Sequence, residues 1–229
     1  MQTSTRKLKT KIKKLLALLE REYDRPRVKK RNPLDVLVQT ILSQNNNDEN
    51  TARAYASLRR RFGSWEEVLA AGEREIAQAI SVGGLSNIKA KRIKRALGEI
   101  KKRVGKLSLE SLEEMPQEDA EKFLVSLHGV GPKTAACVMC FGFRRPALPV
   151  DTHVHRVTKR LGLVAEGMSA ARAQEILEEL VDARDKISFH INIINHGRKI
   201  CTARNPKCGR CVLLKLCPTG KKIIKNSLR

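Results

Sequence analysis

The segment LHGVGPKTAACVMCFGFRRPALPVDTHVHR, residues 127–156, carries the features that decide the fold. It opens with a Gly-Val-Gly turn, and two glycines one residue apart allow backbone angles that other residues resist. Pro132 follows and suits the first position of a helix, where its missing N–H costs nothing. We expect bare backbone N–H groups of the turn and the helix start to form a small anion site, suited to one phosphate.

Two reactive side chains accompany this anion site. Lys133 directly follows Pro132, and Asp151 comes 18 residues later at a predicted helix start. Each also has an ordinary structural interpretation, Lys133 as a solvated surface lysine and Asp151 as an N-cap that accepts from the next turn. An anion site, an amine and a carboxylate in one short segment together indicate chemistry on a phosphate polymer.

The composition indicates a polyanionic partner. The 229 residues include 46 basic and 24 acidic side chains, which gives a net charge of +22 and a pI near 10.2. So large an excess is typical of nucleic-acid binding, whereas a charged surface that serves solubility usually balances the two signs. Aromatic residues make up only 3%, which argues against a platform that stacks many single-stranded bases.

The sequence gives no indication of a membrane partner. No apolar run reaches the roughly 20 residues that a membrane span needs. The N-terminus, MQTSTRKLKTKIKK, lacks the apolar core and cleavage site of a secretory signal. We therefore expect a soluble intracellular protein, either cytoplasmic and associated with the nucleoid or otherwise intracellular. We also expect a monomer.

Helical periodicity runs through almost every segment, so the fold class is predicted to be all-α. Asn32 and Pro33 look like a cap and a first turn, and the helix that they open is apolar on most sides, as expected of a central core helix. A strongly basic helix is predicted from Ile88 to Val104, ended by Gly105. Its basic residues are Lys89, Lys91, Arg92, Lys94, Arg95, Lys101, Lys102 and Arg103.

The last four cysteines, Cys201, Cys208, Cys211 and Cys217, have the spacing C-x6-C-x2-C-x5-C. An intracellular chain rarely holds structural disulfides, so a metal site is expected. Four thiolates suit either tetrahedral zinc or a [4Fe–4S] cluster, and one C-x2-C pair with long arms on both sides favours the larger cluster. The other two, Cys137 and Cys140, lie in a predicted helix and are expected to be buried as small apolar residues.

The motifs LHGVGPKTA and PVDTH, in this order and spacing, resemble the helix-hairpin-helix glycosylases of base-excision repair, and the endonuclease III branch in particular. The cysteine spacing is similar to the one that this family uses for its [4Fe–4S] cluster. The resemblance extends from about Pro33 to Cys217. It implies a six-helix barrel domain at residues 26–145, a discontinuous domain of residues 1–25 and 146–229 with the C-terminal [4Fe–4S] loop, and an active site between the two.

The resemblance also implies roles for individual residues. Lys133 falls on the position of the family's Schiff-base lysine, and Asp151 on that of its catalytic aspartate. Leu85, on a glycine turn, matches a leucine that wedges into the DNA, although it also has the features of a packed loop residue. The loop Ser43–Asp48 matches the one that fills the space left by the base, and here both Gln44 and Asn45 are candidates. The expected DNA contacts are Gly129, Val130, Gly131, Thr134, Gln44, Asn45, Leu85, Lys91 and Arg95.

The implied activity is that of a bifunctional DNA glycosylase and AP lyase. Its partner would be double-stranded DNA with damaged bases or abasic sites, oxidised pyrimidines first among them, and the strand would be nicked by β-elimination. Two alternatives stay open. One is a thymine or uracil mismatch glycosylase on the same scaffold, and the other is a helix-hairpin-helix protein that binds DNA without catalysis.

Overall fold

The computed structural model describes residues 2–227, with side chains from residue 5 onwards. This part of the chain contains twelve α-helices and no β-strand, so the all-α prediction is confirmed. The helices are α1 Gln2–Tyr23, α2 Pro33–Ser43, α3 Asp48–Arg61, α4 Trp65–Ala70, α5 Glu73–Ala79, α6 Ser86–Val104, α7 Gln117–Val125, α8 Pro132–Cys137, α9 Thr152–Arg160, α10 Ala170–Leu180, α11 Lys186–Lys199 and α12 Pro218–Ser227. A π-helical turn, Val138–Gly142, continues α8. None of the described helices is long and apolar enough to cross a bilayer.

The chain divides into two compact units. The first, Lys29–Arg145, contains α2 to α8 and is called the hairpin unit below. The second, called the discontinuous unit, combines the described residues up to Val28 with those from Pro146.

The core of the hairpin unit is built around α2. The side-chain oxygen of Asn32 accepts hydrogen bonds from the backbone nitrogens of Leu34 and Asp35, at 2.9 and 3.1 Å, so the predicted cap is confirmed. The apolar residues of α2 are almost all buried, as predicted for a central helix. They are Leu34, Val36, Leu37, Val38, Ile41 and Leu42. Neighbouring α3, α6 and α8 pack around this helix.

The predicted basic helix is present as α6, and Gly105 ends it in the left-handed conformation, with φ +81°. Lys91 and Arg95 are exposed, as a DNA-facing role requires. Lys89, another basic residue of this helix, does not share that exposed face, because only 1% of it is exposed. Its Nζ donates to the carbonyl oxygens of Leu42, at 2.8 Å, and Gly83, at 2.7 Å.

Burial of the Lys89 amine has a physical explanation. Leu42 stands at the C-terminal end of α2, where carbonyl groups lack helical partners and the helix dipole favours a cation. Burial and the charge of nearby Arg92 lower the pKa of Lys89. The amine therefore joins the end of α2 to the glycine turn before α6 and is not available to DNA.

The discontinuous unit has its own apolar core, to which α1 contributes one face. Ile12, Leu15, Leu16 and Leu19 of α1 recur at helical spacing and are buried on one face of the helix. They share the core with residues of α9, α10 and α11. These contacts fix α9 and α11, which carry the residues that matter for function in this unit.

Candidate functional site

The hairpin lies between α7 and α8, and its two glycines differ in conformation. Gly129 has φ +77°, in the left-handed region that favours glycine. Gly131 has φ −98° and ψ 178°, an ordinary extended conformation, so the backbone freedom that glycine allows is used at Gly129 and not at Gly131. A side chain at Gly131 would meet no neighbouring atom within 4 Å. Gly131 thus leaves open the space in front of the helix start.

The sequence suggested that the backbone N–H groups of the hairpin are bare, but some of them already donate hydrogen bonds within the protein. The nitrogen of Val130 donates to the carbonyl oxygen of Leu127 at 3.1 Å, and the Val130 side chain is buried. The nitrogen of His128 donates to Glu99 of α6 at 2.9 Å. Val130 therefore has its N–H group bonded within the hairpin and its side chain in the core, and its contact with DNA stays a prediction.

Lys133 is the second residue of α8, directly after Pro132, so the predicted helix start is confirmed. Its side chain is partly exposed, whereas the next four residues of the helix are buried. Thr134 is among these, with 4% exposed, which leaves its backbone N–H as the group that can face a ligand. Lys133 is consequently the reactive side chain that α8 presents outside the core of the hairpin unit.

The polar loop after α2 separates the two candidates that the sequence left open. Gln44 accepts a hydrogen bond from Arg92 Nη1 through its Oε1 atom, and its Nε2 donates to the carbonyl oxygen of Gly129 at 3.3 Å. Asn45 is exposed and has φ +50°, a left-handed conformation that asparagine tolerates. The structure therefore holds Gln44 against the hairpin and presents Asn45 to solvent.

Leu85 stands in the glycine turn before α6 with φ +51°, which is unusual for a leucine. Half of the residue is exposed, as is half of Ile88, one turn further on. The interpretation of Leu85 as a packed loop residue is thus wrong. An exposed apolar tip suits contact with bases, so its role as a wedge stays a prediction.

Asp151 is the N-cap of α9, as predicted, and its Oδ1 accepts from the backbone nitrogen of Val154 at 2.7 Å. The preceding residues are fixed by two further contacts. The Nδ1 atom of His190 donates to the Pro149 carbonyl oxygen at 2.8 Å, and the Val150 nitrogen donates to Gln174 at 3.3 Å. The carboxylate is therefore held in one place by α9, α10 and α11.

Cys201, Cys208, Cys211 and Cys217 line one cavity of the discontinuous unit. Apolar side chains of α9 and its C-cap, of the cysteine loop (residues 200–217, between α11 and α12) and of α12 also line it, namely Val157, Leu161, Ile200, Leu214 and Ile223. Among the described residues, no three His, Cys, Asp or Glu side chains are arranged to hold a single metal ion. Four thiols around one apolar space fit the donor set of an iron–sulfur cluster.

Nitrogen atoms surround the sulfurs of this cavity. Arg160 Nη1 lies 3.4 Å from the Cys201 sulfur, and His196 Nε2 lies 3.4 Å from the Cys211 sulfur. The backbone nitrogen of Gly220 donates to the Cys217 sulfur at 3.2 Å. Such donors stabilise the negative charge on sulfur ligands, so the surroundings of the cavity also fit a cluster.

The electrostatics of the thiols require a compensating cation. Burial raises the pKa of Cys211 to about 11. Burial also raises the pKa of Cys208 and Cys217, and repulsion from Cys201 raises both further. Four thiolates would therefore be unfavourable together without positive iron ions between them.

Two arginines that the sequence analysis did not single out hold the cysteine loop. Arg156 donates to the carbonyl oxygens of Cys201 and Gly197, and Arg160 to those of Thr202 and Ala203, at distances between 2.7 and 3.1 Å. Their i, i+4 spacing on α9 places both on one helix face. Two arginines at this spacing, directly after Asp151, were the feature of the sequence from which their shared role could have been predicted.

Comparison with known proteins identifies the family. Residues 38–183 match the HhH-GPD superfamily of base excision DNA repair proteins, and residues 201–217 match the iron–sulfur binding domain of endonuclease III. The endonuclease III of Thermotoga maritima is 33% identical over 201 residues, which cover 88% of this chain and 90% of that protein. A putative DNA glycosylase of Arabidopsis thaliana is 38% identical over 171 residues, 74% of this chain but 57% of that longer protein.

A solved non-covalent complex of endonuclease III with DNA has the same fold. It superposes with a TM-score of 0.83 at 29% identity and covers 95% of this chain and 98% of its own. The match of residues 201–217 confirms a [4Fe–4S] cluster as the cofactor, in preference to zinc. With both family regions matched and most of its length aligned, the chain belongs to the endonuclease III family within the HhH-GPD superfamily of base excision DNA repair proteins.

Proposed function

We propose that the chain removes damaged pyrimidines, oxidised ones above all, from double-stranded DNA and then nicks the strand at the abasic site. The observation that carries this proposal is the position of Lys133, a partly exposed amine in the first turn of α8 directly after the hairpin. Its relatives named endonuclease III favour this activity over a mismatch glycosylase and over a DNA-binding protein without catalysis.

DNA binding would rest on phosphate contacts that do not depend on sequence. The backbone of Gly129, Gly131 and Thr134 supplies donors at the hairpin. Lys91 and Arg95 on α6 supply positive charge, as do exposed residues on α11 and the cysteine loop. The exposed basic residues on α11 and the cysteine loop are Arg198, Lys199, Arg204, Lys207 and Arg210. The target nucleotide must leave the base stack before it can react. The exposed side chain of Leu85 is suited to insert into the duplex beside the flipped nucleotide.

In the first chemical step, the unprotonated Nζ of Lys133 attacks C1′ of the flipped nucleotide. A bond from nitrogen to C1′ forms, the bond from C1′ to the base breaks, and the base leaves with the electron pair and takes up a proton. The carboxylate of Asp151 stabilises the positive charge that develops on the sugar and accepts the proton of the attacking amine. Opening of the sugar ring then gives a Schiff base.

In the second step, the strand is cut by β-elimination. A proton leaves C2′ and the bond from C3′ to its phosphate oxygen breaks. The downstream fragment leaves with a 5′ phosphate, and the upstream fragment keeps at its 3′ end an unsaturated sugar that is still joined to Lys133. Water hydrolyses the Schiff base and restores the Lys133 amine. Lys133 thus serves as nucleophile for excision and as electron sink for the cut.

The cysteines have a separate role in this proposal. Cys201, Cys208, Cys211 and Cys217 would ligate the [4Fe–4S] cluster, which when bound supplies redox-active iron and cross-links the C-terminal loop. Arg156 and Arg160 hold that loop against α9, whose N-terminus carries Asp151. The residues around the cluster thereby contribute to the placement of the catalytic carboxylate.

A panel of duplexes with one defined lesion each tests the proposal. It would contain an oxidised pyrimidine, 8-oxoguanine, a G·T mismatch, a G·U mismatch and an abasic site, and the products would be mapped at single-nucleotide resolution. We expect nicking at the oxidised pyrimidine and the abasic site, by one chain acting as a monomer. Release of thymine or uracil from mismatches without nicking would favour a mismatch glycosylase, and intact duplexes throughout would contradict catalysis.

A further inference from the structure

Side chains of α6 reach three separate loops of the hairpin unit. Lys89 binds the end of α2 and the glycine turn before α6, through Leu42 and Gly83. Glu99, further along the same helix, accepts from the backbone of His128 in the hairpin. Between these two lies Arg92, whose contacts involve both the polar loop and the hairpin.

Arg92 joins the polar loop to the hairpin. Its Nη1 donates to Gln44 Oε1, and Gln44 Nε2 donates in turn to the carbonyl oxygen of Gly129. The stem of Arg92 crosses directly over Gly129, since a Cβ atom there would lie 2.7 Å from Arg92 Cγ and 2.9 Å from Cδ. The glycine at position 129 is therefore required both by its left-handed φ and by the path of this arginine.

These contacts fix the side chain of Gln44 inside the protein. Both polar atoms of its side-chain amide are used inside the protein, one by Arg92 and the other by the hairpin carbonyl. Asn45, in contrast, is exposed at the tip of the loop in a left-handed conformation. The loop thus presents one amide inward and the next one outward.

We propose that Arg92 is a positioning residue, which through Gln44 locks the polar loop to the hairpin and leaves Asn45 as the side chain that fills the space of the flipped base. This inference rests on the proposed function and extends it to residues that do not touch the reacting atoms. Lys133 follows Gly129 by four residues and is the second residue of α8. Loss of the Arg92–Gln44–Gly129 chain would therefore let the loop and the nucleophile move independently.

A double-mutant cycle tests the link. Arg92→Met keeps most of the stem that packs on Gly129 and removes the guanidinium, and Gln44→Met removes the amide. Each should lower the single-turnover rate of excision by about tenfold to a hundredfold, because small misplacements at a distance from the chemistry have effects of that size. The double variant should be no slower than the slower single variant, since both break one chain of contacts.

Three controls separate positioning from charge and from folding. Lys91→Met removes an adjacent, exposed charge and should weaken DNA binding while leaving Gln44 coupled to Arg92. Asn45→Ala should slow excision, and less than additively with Arg92→Met, because Arg92 holds the loop that carries Asn45. Amide hydrogen exchange should quicken in both residues 43–47 and residues 127–131 in Arg92→Met and Gln44→Met, a readout that does not depend on catalysis.

Additive losses in the Arg92 and Gln44 pair, or faster exchange in only one of the two segments, would overturn the inference. Wild-type excision by Arg92→Met would also overturn it. Gln44→Met, at a partly exposed loop position, keeps the test decisive if Arg92→Met does not fold. Trapping of wild-type protein on abasic DNA is measured in parallel, so that failure of the proposed function itself is recognised separately.

Discussion

The Oδ1 atom of Asp151 lies 2.7 Å from the backbone nitrogen of Val154, so this residue caps α9. The cap uses one oxygen of the carboxylate, and an asparagine oxygen accepts the same hydrogen bond equally well. The structural role of Asp151 therefore does not require a negative charge, whereas its proposed chemical role does. The two roles can be separated by substitution.

Asp151→Asn should keep the stability of the protein and lower base excision by about two or more orders of magnitude, because it removes one electrostatic stabiliser of the transition state. Asp151→Ala should in addition lower the free energy of unfolding by about 1 kcal/mol, through loss of the cap. Cutting of a preformed abasic site should suffer less in both variants, since no base has to leave. Denaturant unfolding and single-turnover assays measure the two effects. Equal loss of stability in both variants would contradict this separation.

Gly129→Ala and Gly131→Ala form a matched pair in the hairpin. Gly129→Ala should lower the free energy of unfolding by about 1–3 kcal/mol, because it places a side chain in a left-handed conformation and against Arg92. Gly131→Ala has an ordinary φ and open space, so its stability should change by less than about 0.5 kcal/mol. Any loss of DNA affinity in Gly131→Ala would then indicate that a DNA phosphate lies close to Gly131 in the complex, because the added methyl group would be in its way. Thermal unfolding and DNA titration distinguish these effects.

The purified protein should be yellow-brown and contain about four iron and four sulfide per chain. Cys208→Ser should lose the cluster and most of the soluble protein, because the cluster ties down the C-terminal loop. Cys140→Ala, at a buried cysteine of the hairpin unit, serves as the control and should keep its iron. Iron and sulfide analysis after anaerobic purification measures this. Stoichiometric zinc without iron would contradict the prediction.

DNA binding should weaken steeply with salt and depend little on sequence, given the net charge of +22. Neutralising Lys91 and Arg95 together should reduce the slope of log K against log salt by up to about 1.8, at about 0.9 for each phosphate contact. Lys7→Gln with Lys14→Gln, at exposed positions of α1, removes the same charge elsewhere and is the control. A slope that both pairs change equally would show a general charge effect and no specific contact by α6.

Local patterns predicted the caps, the core helix and the metal centre. Asn32 and Asp151 cap helices through contacts within three residues, and such contacts can be inferred from neighbouring positions in the sequence. The cysteine spacing identified the cluster because its ligands lie within one short segment. The fold class followed from helical periodicity in the same way.

Contacts over long sequence separations were not predictable in this way. Burial of Lys89 depends on a carbonyl group 47 residues away, and the link from Arg92 to Gln44 spans 48 residues. In a list of basic residues on one helix, Lys89, Lys91 and Arg92 look alike, yet packing gives them three different roles. The extended conformation of Gly131 could not be predicted from the sequence either, because it depends on how α8 starts.

The central claim is that the Lys133 amine forms a Schiff base with DNA, and borohydride trapping tests it most directly. Wild-type protein, incubated with duplex DNA that holds one abasic site and then reduced, should form a covalent complex stable to denaturing electrophoresis. Lys133→Gln keeps a polar side chain but removes the amine, so trapping should vanish while binding to the same duplex persists. Trapping of Lys133→Gln at the wild-type rate would contradict the account and would place the nucleophile on another amine.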